Sequence, residues 1–284
     1  MKALVLGSSG MLGNAVTRVL SEDEGLEVWG AVRSAGAKAY FDEGIRERIC
    51  VGVDVEHQDG LLELFADLKP DIVVNCVGLV KQLEQAEDPL QAIPINALLP
   101  HRLARLSALS GARLIHMSTD CVFSGRRGMY TEDDPADASD LYGRSKYMGE
   151  VDYPHAVTLR TSIIGHELNG QRSLLNWFLS REGSVKGYTR AIFSGLPTVE
   201  LARIICDIVI PRPELRGVYH VSAEAISKHD LLKLIAERYG KRIAIVPDSE
   251  VVIDRSLNSE RFRAATGYTA PSWPELIDRM HAYQ

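Results

Sequence analysis

The sequence lacks a long apolar run. No stretch approaches the length of about 18 apolar residues that a membrane-spanning helix needs. The apolar run at the N-terminus is also too short for the hydrophobic region of a secretory signal. Nothing in the sequence therefore indicates insertion into a membrane or secretion, and we expect a cytoplasmic protein.

Cysteine and metal-ligand patterns are lacking as well. The chain has four scattered cysteines without a C-x-x-C pair, and its eight histidines show no spacing typical of metal ligands. Zinc sites and disulfide frameworks both require such closely spaced or paired residues. We therefore expect reduced thiols, and we assign no metal.

Positive charge is not concentrated anywhere. The net charge is −6 at pH 7, and the lysines and arginines form no long run. Such a chain would attract neither a phosphate backbone nor an anionic lipid surface, so we expect no nucleic acid and no membrane as main partner. The contents of 45% hydrophobic and 25% charged residues are typical of a soluble enzyme.

The sequence does contain an alternation of strand and helix signals, which predicts an α/β fold with a Rossmann-like, doubly wound parallel sheet. The strands predicted for this sheet are residues 2–7, 27–32, 49–53, 71–78, 113–118 and 156–160. Helices are most clearly indicated over residues 61–68 and 97–109. Past residue 160 the pattern loosens into a helix near 174–178 and a strand-helix-strand passage over 217–246.

This change of pattern predicts two parts. Residues 1–160 are expected to form a dinucleotide-binding domain. Residues 161–284 are expected to form a smaller, mainly substrate-binding lobe, with some segments interleaving with the main sheet. The sequence leaves open whether the protein forms a homodimer.

A glycine-rich turn, Gly7-Ser-Ser-Gly10-Met11-Leu12-Gly13, joins the first strand to a helix beginning near Met11. Gly7 permits the turn, Gly10 lets the backbone approach a pyrophosphate at the helix N-terminus, and Gly13 lets the helix pack closely on the sheet. The spacing differs from the simple G-x-G-x-x-G fingerprint, and a turn without a ligand is the alternative. The flanking strand and helix favour dinucleotide binding.

Ligands of such sheets bind beyond the carboxyl ends of the strands, so the residues that follow each strand matter. Arg33 and Ser34 follow the second strand, where an acidic residue would bind a ribose 2′-hydroxyl; an arginine suits a 2′-phosphate and favours NADP over NAD. An ordinary surface arginine is the alternative. Asp54, followed by Val55, could accept a hydrogen bond from the adenine amino group, and a turn or helix-capping role is its alternative.

The fourth strand ends near the expected nicotinamide ribose, where small residues let a cofactor lie against the backbone. The residues at this position are Asn75, Cys76, Val77 and Gly78. We expect the last three to contact the cofactor.

Tyr142 and Lys146 are four residues apart and therefore share one face of a helix. A lysine ammonium there would lower the pKa of the phenol from about 10 and suit it to a carbonyl/alcohol pair. The hydroxyls of Ser118 and Thr119, at the end of the fifth strand, could orient the carbonyl toward Tyr142. The alternatives are an ordinary amphipathic helix and a simple strand-terminating turn.

Together these motifs resemble the extended short-chain dehydrogenase/reductases, and within them the dTDP-4-dehydrorhamnose reductases and related sugar-nucleotide enzymes. The segments that carry the resemblance are residues 7–13, 75–78, 118–125, 142–146, 159–162, 195–198 and 217–220. Those reductases usually have tyrosine after Ser-Thr-Asp, whereas this chain has Cys121.

The resemblance implies a catalytic trio of Thr119, Tyr142 and Lys146, with Asn96, in the helix after strand four, supporting the lysine. It implies cofactor contacts at Gly7, Gly10, Met11, Leu12, Gly13, Arg33, Asp54, Val55, Cys76, Val77, Gly78, Asn96 and Lys146. Substrate contacts are expected at Ser118, Thr119, Tyr142, Asn176 and Trp177. For Trp177, hydrophobic packing of the lobe is the alternative.

The function implied by the resemblance is NADPH-dependent reduction of the 4-keto group of a nucleotide-linked 6-deoxysugar. NAD remains an alternative cofactor. Alternative functions are an NAD-dependent sugar-nucleotide epimerase of the same superfamily and a non-catalytic, NADP-binding regulatory subunit.

Overall fold

A parallel sheet flanked by helices forms the centre of the molecule, of which the computed structural model describes residues 1–79 and 84–283. The strands are β1 (Lys2–Leu6), β2 (Glu27–Val32), β3 (Ile49–Val51), β4 (Ile72–Asn75), β5 (Arg113–Thr119), β6 (Ala156–Thr161), β7 (Ile163–Ile164), β8 (Ser184–Tyr188), β9 (Ala191–Phe193), β10 (Leu196–Pro197), β11 (Gly217–His220), β12 (Ile226–Ser227), β13 (Ala244–Asp248) and β14 (Ile253–Asp254). Seven of them form the central sheet in the order β11-β6-β5-β4-β1-β2-β3, with every neighbouring pair parallel. The α/β fold class predicted from the sequence is confirmed.

The helices lie between these strands and after them. They are α1 (Met11–Leu20), α2 (Glu43–Arg46), α3 (Gln58–Leu68), α4 (Pro89–Ala92), α5 (Leu99–Ser110), α6 (Leu141–Met148), α7 (Leu174–Leu179), α8 (Thr198–Arg203), α9 (Lys228–Arg238), α10 (Glu260–Thr266) and α11 (Trp273–Ala282). Short 3₁₀ segments occur at Ala35–Tyr40, Glu84–Glu87 and Asp120–Val122, and π-helical segments at Ile93–Leu98 and Ile204–Val209. Among the helices of the described ranges, none is long and apolar enough to cross a membrane.

The inner strands are buried on both faces, which explains their continuous apolar runs. In β1 the side chains from Ala3 to Leu6 are fully buried, and all of β4 is buried. The strands at the two edges are short: β3 has three residues and β11 has four. Gly52 ends β3 because its φ of 81° turns the backbone into the left-handed region.

The third strand, predicted as 49–53, stops at Val51, and two further elements have other bounds than the sequence pattern indicated. The fourth strand stops at Asn75, before the predicted 78, because the side chain of Asn75 accepts a hydrogen bond from the Val77 amide and closes a turn. The helix predicted from residue 97 begins as the π-helical segment Ile93–Leu98. Pro100 has no N–H to donate to the Asn96 carbonyl four residues earlier, so a regular α-helical bond is lost there.

Residues after 160 take part in both the central sheet and smaller sheets. The edge strand β11 pairs with β6, while β10 pairs with β7, β13 with β8, and β12 and β14 flank β9. Helix α8 packs closely along α1, the helix that follows the glycine-rich turn. The C-terminal part of the chain therefore supports the site-forming end of the sheet from one side.

Candidate active site

The glycine-rich turn is built for close approach of a ligand to the backbone. Gly7 has a φ of 81°, and its carbonyl accepts a hydrogen bond from the Gly10 amide at 2.9 Å. A Cβ on Gly13 would lie 2.1 Å from that carbonyl, so no side chain fits there. Gly10 is exposed and caps α1, which leaves the first amides of this ten-residue helix facing outward. Met11 is half-buried, whereas Leu12 packs into the core and can offer a ligand only its backbone.

Hydrogen bonds beneath the turn fix its shape. The buried hydroxyl of Ser8 donates to the Val5 carbonyl at 2.9 Å and accepts from Thr17 of α1 at 2.9 Å. These contacts tie β1, the turn and α1 together. A dinucleotide fits this cradle because Gly7, Gly10 and Gly13 bring no side chains of their own to the turn and the open amides suit a pyrophosphate.

The ends of β2 and β3 carry the predicted adenosine contacts. Arg33 is exposed just after β2 and has no ion-pair partner among the residues that the structure describes, so its guanidinium is free to bind a phosphate. Asp54 is exposed, but one carboxylate oxygen accepts a hydrogen bond from the Glu56 amide at 3.0 Å, which favours the turn role weighed for it. Val55 packs against the apolar cluster under α3 and α5.

The end of β4 is held by a buried amide. Asn75 Nδ2 lies 3.1 Å from His116 Nδ1 of β5, and its Oδ1 accepts from the Val77 amide at 3.1 Å. Burial raises the pKa of the Cys76 thiol to about 12, so the thiol stays neutral. Gly78 is exposed at the end of this turn.

Two other predicted residues, Asn96 and Lys146, lie beside Gly78. A Cβ placed there would lie 3.5 Å from Asn96 Oδ1 and 3.7 Å from Lys146 Nζ, so the glycine leaves a narrow gap in front of both side chains. Lys146 is buried, and its ammonium donates to the Met117 carbonyl at 2.7 Å. Burial lowers its pKa to about 8, against the opposing effect of Glu150.

Asn96 supports this arrangement indirectly. Its side chain accepts a hydrogen bond from the Leu79 amide at 3.0 Å and donates to the Ser145 hydroxyl at 3.2 Å. The amide thus joins the loop after β4 to α6, one residue before the lysine. It lies in the π-helical segment rather than in the regular helix expected from the sequence.

Tyr142 lies in the first turn of α6, which Asp140 caps by accepting a hydrogen bond from the Gly143 amide at 2.9 Å. Gly143 packs tightly, because a Cβ there would lie 2.3 Å from the Cys121 carbonyl. This contact brings α6 onto the segment after β5, and the Tyr142 phenol lies close enough to the Thr119 hydroxyl for that hydroxyl to lower its pKa. Two members of the predicted trio are therefore neighbours.

The protonation of Tyr142 differs from the sequence-based expectation. Burial raises the pKa of the phenol, and the neighbouring Cys121 and Asp120 raise it further, while the Thr119 hydroxyl lowers it. The Lys146 ammonium is directed to a backbone carbonyl instead. The expected net lowering of the pKa is therefore wrong for this structure, and the phenol is protonated at neutral pH.

The hydroxyl of Thr119 is also engaged locally. It donates to a carboxylate oxygen of Asp120 at 3.1 Å and accepts from the Cys121 amide at 3.1 Å. Asp120 was not predicted as a site residue, although it directly follows Thr119. Burial raises the pKa of its carboxyl group, and Arg255 opposes that effect.

Ser118 is not placed with the trio. Successive side chains of a strand point to opposite faces, and the hydroxyl of Ser118 donates to a carboxylate oxygen of Glu150 at 2.7 Å. It is 6% exposed and so cannot reach a substrate without leaving this bond. The predicted contact between Ser118 and the substrate carbonyl is not supported by this geometry.

Asn176 and Trp177 of α7 serve the packing of their own region. The Asn176 side chain accepts from the Glu167 amide at 3.0 Å and donates to the Gly170 carbonyl at 3.3 Å, which fixes the loop before α7. Trp177 packs against the main core, with the Arg181 guanidinium 5.5 Å from its ring centre. The packing of Trp177 against the core favours the packing alternative for this residue. The oxygen and the NH₂ group of the Asn176 side chain are both already bonded to backbone groups.

No group of three or more histidine, cysteine, aspartate or glutamate side chains within residues 1–79 and 84–283 is arranged to hold a metal ion. The groups that the site does contain are backbone amides, hydroxyls, a phenol and an ammonium. These groups can bind a dinucleotide and deliver a proton to a carbonyl oxygen.

Comparison with known proteins gives a match over nearly the whole chain. Residues 1–282 match the family described as the RmlD substrate binding domain. The chain is 34% identical to a probable low-salt glycan biosynthesis reductase of Haloferax volcanii, with 100% of this chain and 97% of the relative covered. It is 26% identical to the dTDP-4-dehydrorhamnose reductase of Salmonella typhimurium, over 80% of this chain and 84% of that enzyme.

Relatives of a different kind also match. Methionine adenosyltransferase 2 subunit beta of Mus musculus is 23% identical over 98% of this chain and 89% of its own length. Among solved structures, the dTDP-4-dehydrorhamnose reductase of Bacillus anthracis in complex with NADP superposes with a TM-score of 0.81 at 22% identity, covering 100% of this chain and 98% of that one. The likeness to that structure is one of fold.

Proposed function

Because the chain belongs to the RmlD substrate binding domain family, we propose that it reduces the 4-keto group of a nucleotide-linked 6-deoxysugar with NADPH. The observation that carries the proposal is the proximity of Thr119 to a protonated Tyr142, with the buried ammonium of Lys146 one helical turn further along α6. The Haloferax and Salmonella relatives, both reductases by name, support the same reaction class.

The residues fit a nicotinamide dinucleotide, which would supply the hydride. The open amides at the start of α1 would hold the pyrophosphate. Arg33, which has no ion-pair partner in the described part of the chain, would hold a 2′-phosphate, which favours NADP over NAD. Gly78 leaves room for the nicotinamide ribose in front of Asn96 and Lys146. These groups lie at the carboxyl ends of β1, β2 and β4, so together they can contact both the adenosine end and the nicotinamide end of the cofactor.

The proton would come from Tyr142. Its raised pKa keeps the phenol protonated, as a proton donor to a carbonyl oxygen must be. Thr119 has a single hydroxyl proton, which it now gives to Asp120, so binding the same substrate oxygen would require this proton to turn toward the substrate. Lys146 would stabilise the phenolate that remains after transfer.

The test is NADPH oxidation with a panel of dTDP-, GDP- and UDP-linked 4-keto-6-deoxysugars. We expect turnover with at least one sugar nucleotide and a loss of at least about 100-fold in kcat for Tyr142→Phe, the low end of the contribution of a general acid. Full turnover in Tyr142→Phe would remove the phenol from the mechanism.

The regulatory-subunit alternative is favoured by one observation, the likeness to methionine adenosyltransferase 2 subunit beta over 98% of the chain. It predicts NADPH binding without turnover on any member of the panel. The epimerase alternative predicts that the purified protein already carries tightly bound NAD. The same preparation distinguishes all three, because released cofactor and added NADPH are measured separately.

We propose that the protein acts in the cytoplasm and that residues 161–284 mainly bind the sugar nucleotide. Sedimentation of the purified protein would test for a homodimer. Fractionation of cells followed by detection of the protein would test its location.

A further inference from the structure

A buried ion pair lies one helical turn beyond Lys146. Glu150 follows the end of α6, and its carboxylate accepts two hydrogen bonds from Arg160 of β6, at 2.7 Å to Oε1 and 2.6 Å to Oε2. The two side chains are 6% and 5% exposed. Ser118 of β5 donates a third bond to Oε1 at 2.7 Å, so the carboxylate is held from two neighbouring strands.

The guanidinium of Arg160 is fixed on its other side as well. Its Nη1 lies 3.2 Å from Nε2 of His220 in β11, and its central carbon lies 5.3 Å from the centre of the Phe123 ring. Burial lowers the pKa of His220 to about 3, so the neutral ring accepts at Nε2 and donates from Nδ1 to the Tyr130 carbonyl at 3.0 Å. These contacts keep the guanidinium aimed at Glu150.

Lys146 is connected to this pair through β5. Its ammonium donates to the carbonyl of Met117, and the next residue, Ser118, donates to Glu150. Consecutive residues of one strand thus hold the ammonium and the carboxylate. The carboxylate that Ser118 binds therefore lies beside the strand segment that binds the ammonium, and its charge opposes the effect of burial on the pKa of Lys146.

Within residues 1–79 and 84–283, few other charges face the ammonium from the elements packed around it. Cys76, at the end of β4, is a neutral thiol, and burial keeps His116 of β5 neutral by lowering its pKa. On α6 itself the phenol of Tyr142 is protonated. Arg160 of β6 carries a positive charge. The negative charge of Glu150 opposes the effect of burial on the pKa of Lys146.

We propose that Glu150 is a positioning residue, held by Arg160 and Ser118, that keeps Lys146 protonated in its buried place and fixes the strand whose carbonyl binds the ammonium. The catalytic consequence rests on the proposed function. The electrostatic part concerns the protein without any ligand, so it can be tested alone.

Because their charges have opposite signs, removing Glu150 or Arg160 should shift the deprotonation of Lys146 in opposite directions. Glu150→Gln keeps the shape and the acceptor for Ser118 but removes the negative charge, so Lys146 should lose its proton about one to two pH units lower. Arg160→Met removes the positive charge and leaves Glu150 facing the lysine, so deprotonation should move to higher pH. If the pair had a purely structural role, both variants would be less stable, but the pH at which Lys146 loses its proton would not shift in opposite directions.

The direct measurement is an NMR titration of carbon-labelled lysine in the full-length protein, with the Lys146 signal identified by its absence from Lys146→Met. The alkaline decline of kcat with NADPH and the sugar nucleotide is the second measurement, and it should move in parallel. Opposite shifts in the titration support the proposal even where no substrate is turned over, in which case only the proposed function fails.

A Lys146 titration that is unchanged in folded Glu150→Gln would overturn the proposal. If Glu150→Gln does not fold because the buried guanidinium loses its partner, Arg160→Met is compared with the double variant Glu150→Gln/Arg160→Met, which buries neither charge. The proposal requires a higher deprotonation pH in the single variant. Equal values in the two would contradict it.

Discussion

At the scale of single residues, the most costly feature of the site is the buried charge of Lys146. Burial lowers its pKa to about 8, from about 10.4 for a free lysine. Between these two values the unfolded chain binds more protons than the folded one, so the contribution of this lysine to stability rises with pH across that window. Below it, the folded protein bears the full cost of the buried ammonium.

Lys146→Met should therefore stabilise the protein while it abolishes the chemistry. Methionine fills similar space without a charge, and we expect the free energy of unfolding at pH 7 to rise by about 1–3 kcal/mol. Urea unfolding of both proteins at pH 7 and near pH 10 measures this. The difference should shrink at the higher pH, and a variant less stable than the parent at pH 7 would contradict the prediction.

Arg33 gives a second prediction at this scale. Its exposed guanidinium has no ion-pair partner among the described residues, so its loss should affect only a ligand that carries a 2′-phosphate. Arg33→Ala should weaken NADPH binding by about 10- to 100-fold, the size of one or two charge-assisted hydrogen bonds, and leave NADH binding unchanged. Arg216→Ala, at an exposed position just before β11, is the matched control and should change neither affinity.

The sequence could identify much of the site because its motifs are local. Tyr142 and Lys146 share one helix, and Thr119 ends the strand against which that helix packs, so their meeting follows from short-range rules. The raised pKa of the phenol could not be predicted, because it depends on burial by distant segments. The hydrogen bond from Ser118 to Glu150 was missed for the same reason, because it depends on how distant segments pack. Only the four-residue spacing of Lys146 and Glu150 was visible in the sequence.

At the scale of elements, the contact between α6 and the π-helical segment Ile93–Leu98 holds the site together. The carbonyl of Asn96, which Pro100 cannot bond, lies against Gly149 at the end of α6, where a Cβ would come within 2.0 Å of the oxygen. The amide of Asn96 bonds Ser145 on the same helix. The close packing of α6 on this segment therefore requires glycine at position 149.

Gly149→Ala should push α6 away from this segment. We expect a loss of about 1–3 kcal/mol in stability, as for other overpacked positions, together with reduced NADPH affinity because Lys146 moves with its helix. Thermal unfolding and NADPH titration measure the two effects. Gly44→Ala, in an exposed helix with nothing within 4 Å of the new methyl group, is the control and should be neutral or slightly stabilising.

The elements themselves were largely predictable, since six strands of the central sheet follow from apolar runs and glycine turns. The errors have physical causes. Asn75 ends β4 early through a side-chain bond that no periodicity reveals, and Pro100 turns the start of the predicted helix into a π-helical segment. The pairing of β11 with β6 is a long-range contact between residues about 60 apart, which local patterns do not specify.

At the scale of the whole molecule, one apolar core crosses the predicted boundary at residue 160. The largest buried cluster includes Ala3 and Val5 of β1 together with Leu276 and Met280 of α11. A buried carboxylate on α8, Glu200, accepts hydrogen bonds from Arg279 of α11 at 2.6 Å and from the Tyr268 hydroxyl at 2.9 Å. The two parts of the chain therefore share their interior.

A shared core predicts cooperative unfolding. We expect a single calorimetric transition whose midpoint rises with NADPH concentration, because a ligand that binds only the folded state stabilises all of it. Saturating NADPH at about 100 times its dissociation constant should add about 2.7 kcal/mol. Two resolved transitions, of which NADPH shifts only one, would instead indicate that residues 1–160 and 161–284 fold separately.

The lengths of the strands at the margins of the sheet bear on how the protein behaves when it is concentrated or newly synthesised. A long unpaired strand offers its backbone groups to other chains and invites aggregation. Here the outermost strands have three and four residues, and one is ended by a left-handed glycine. Lengthening β3 by replacing Gly52 with valine would present a longer template at the open margin, so a protein that is otherwise well folded should begin to self-associate.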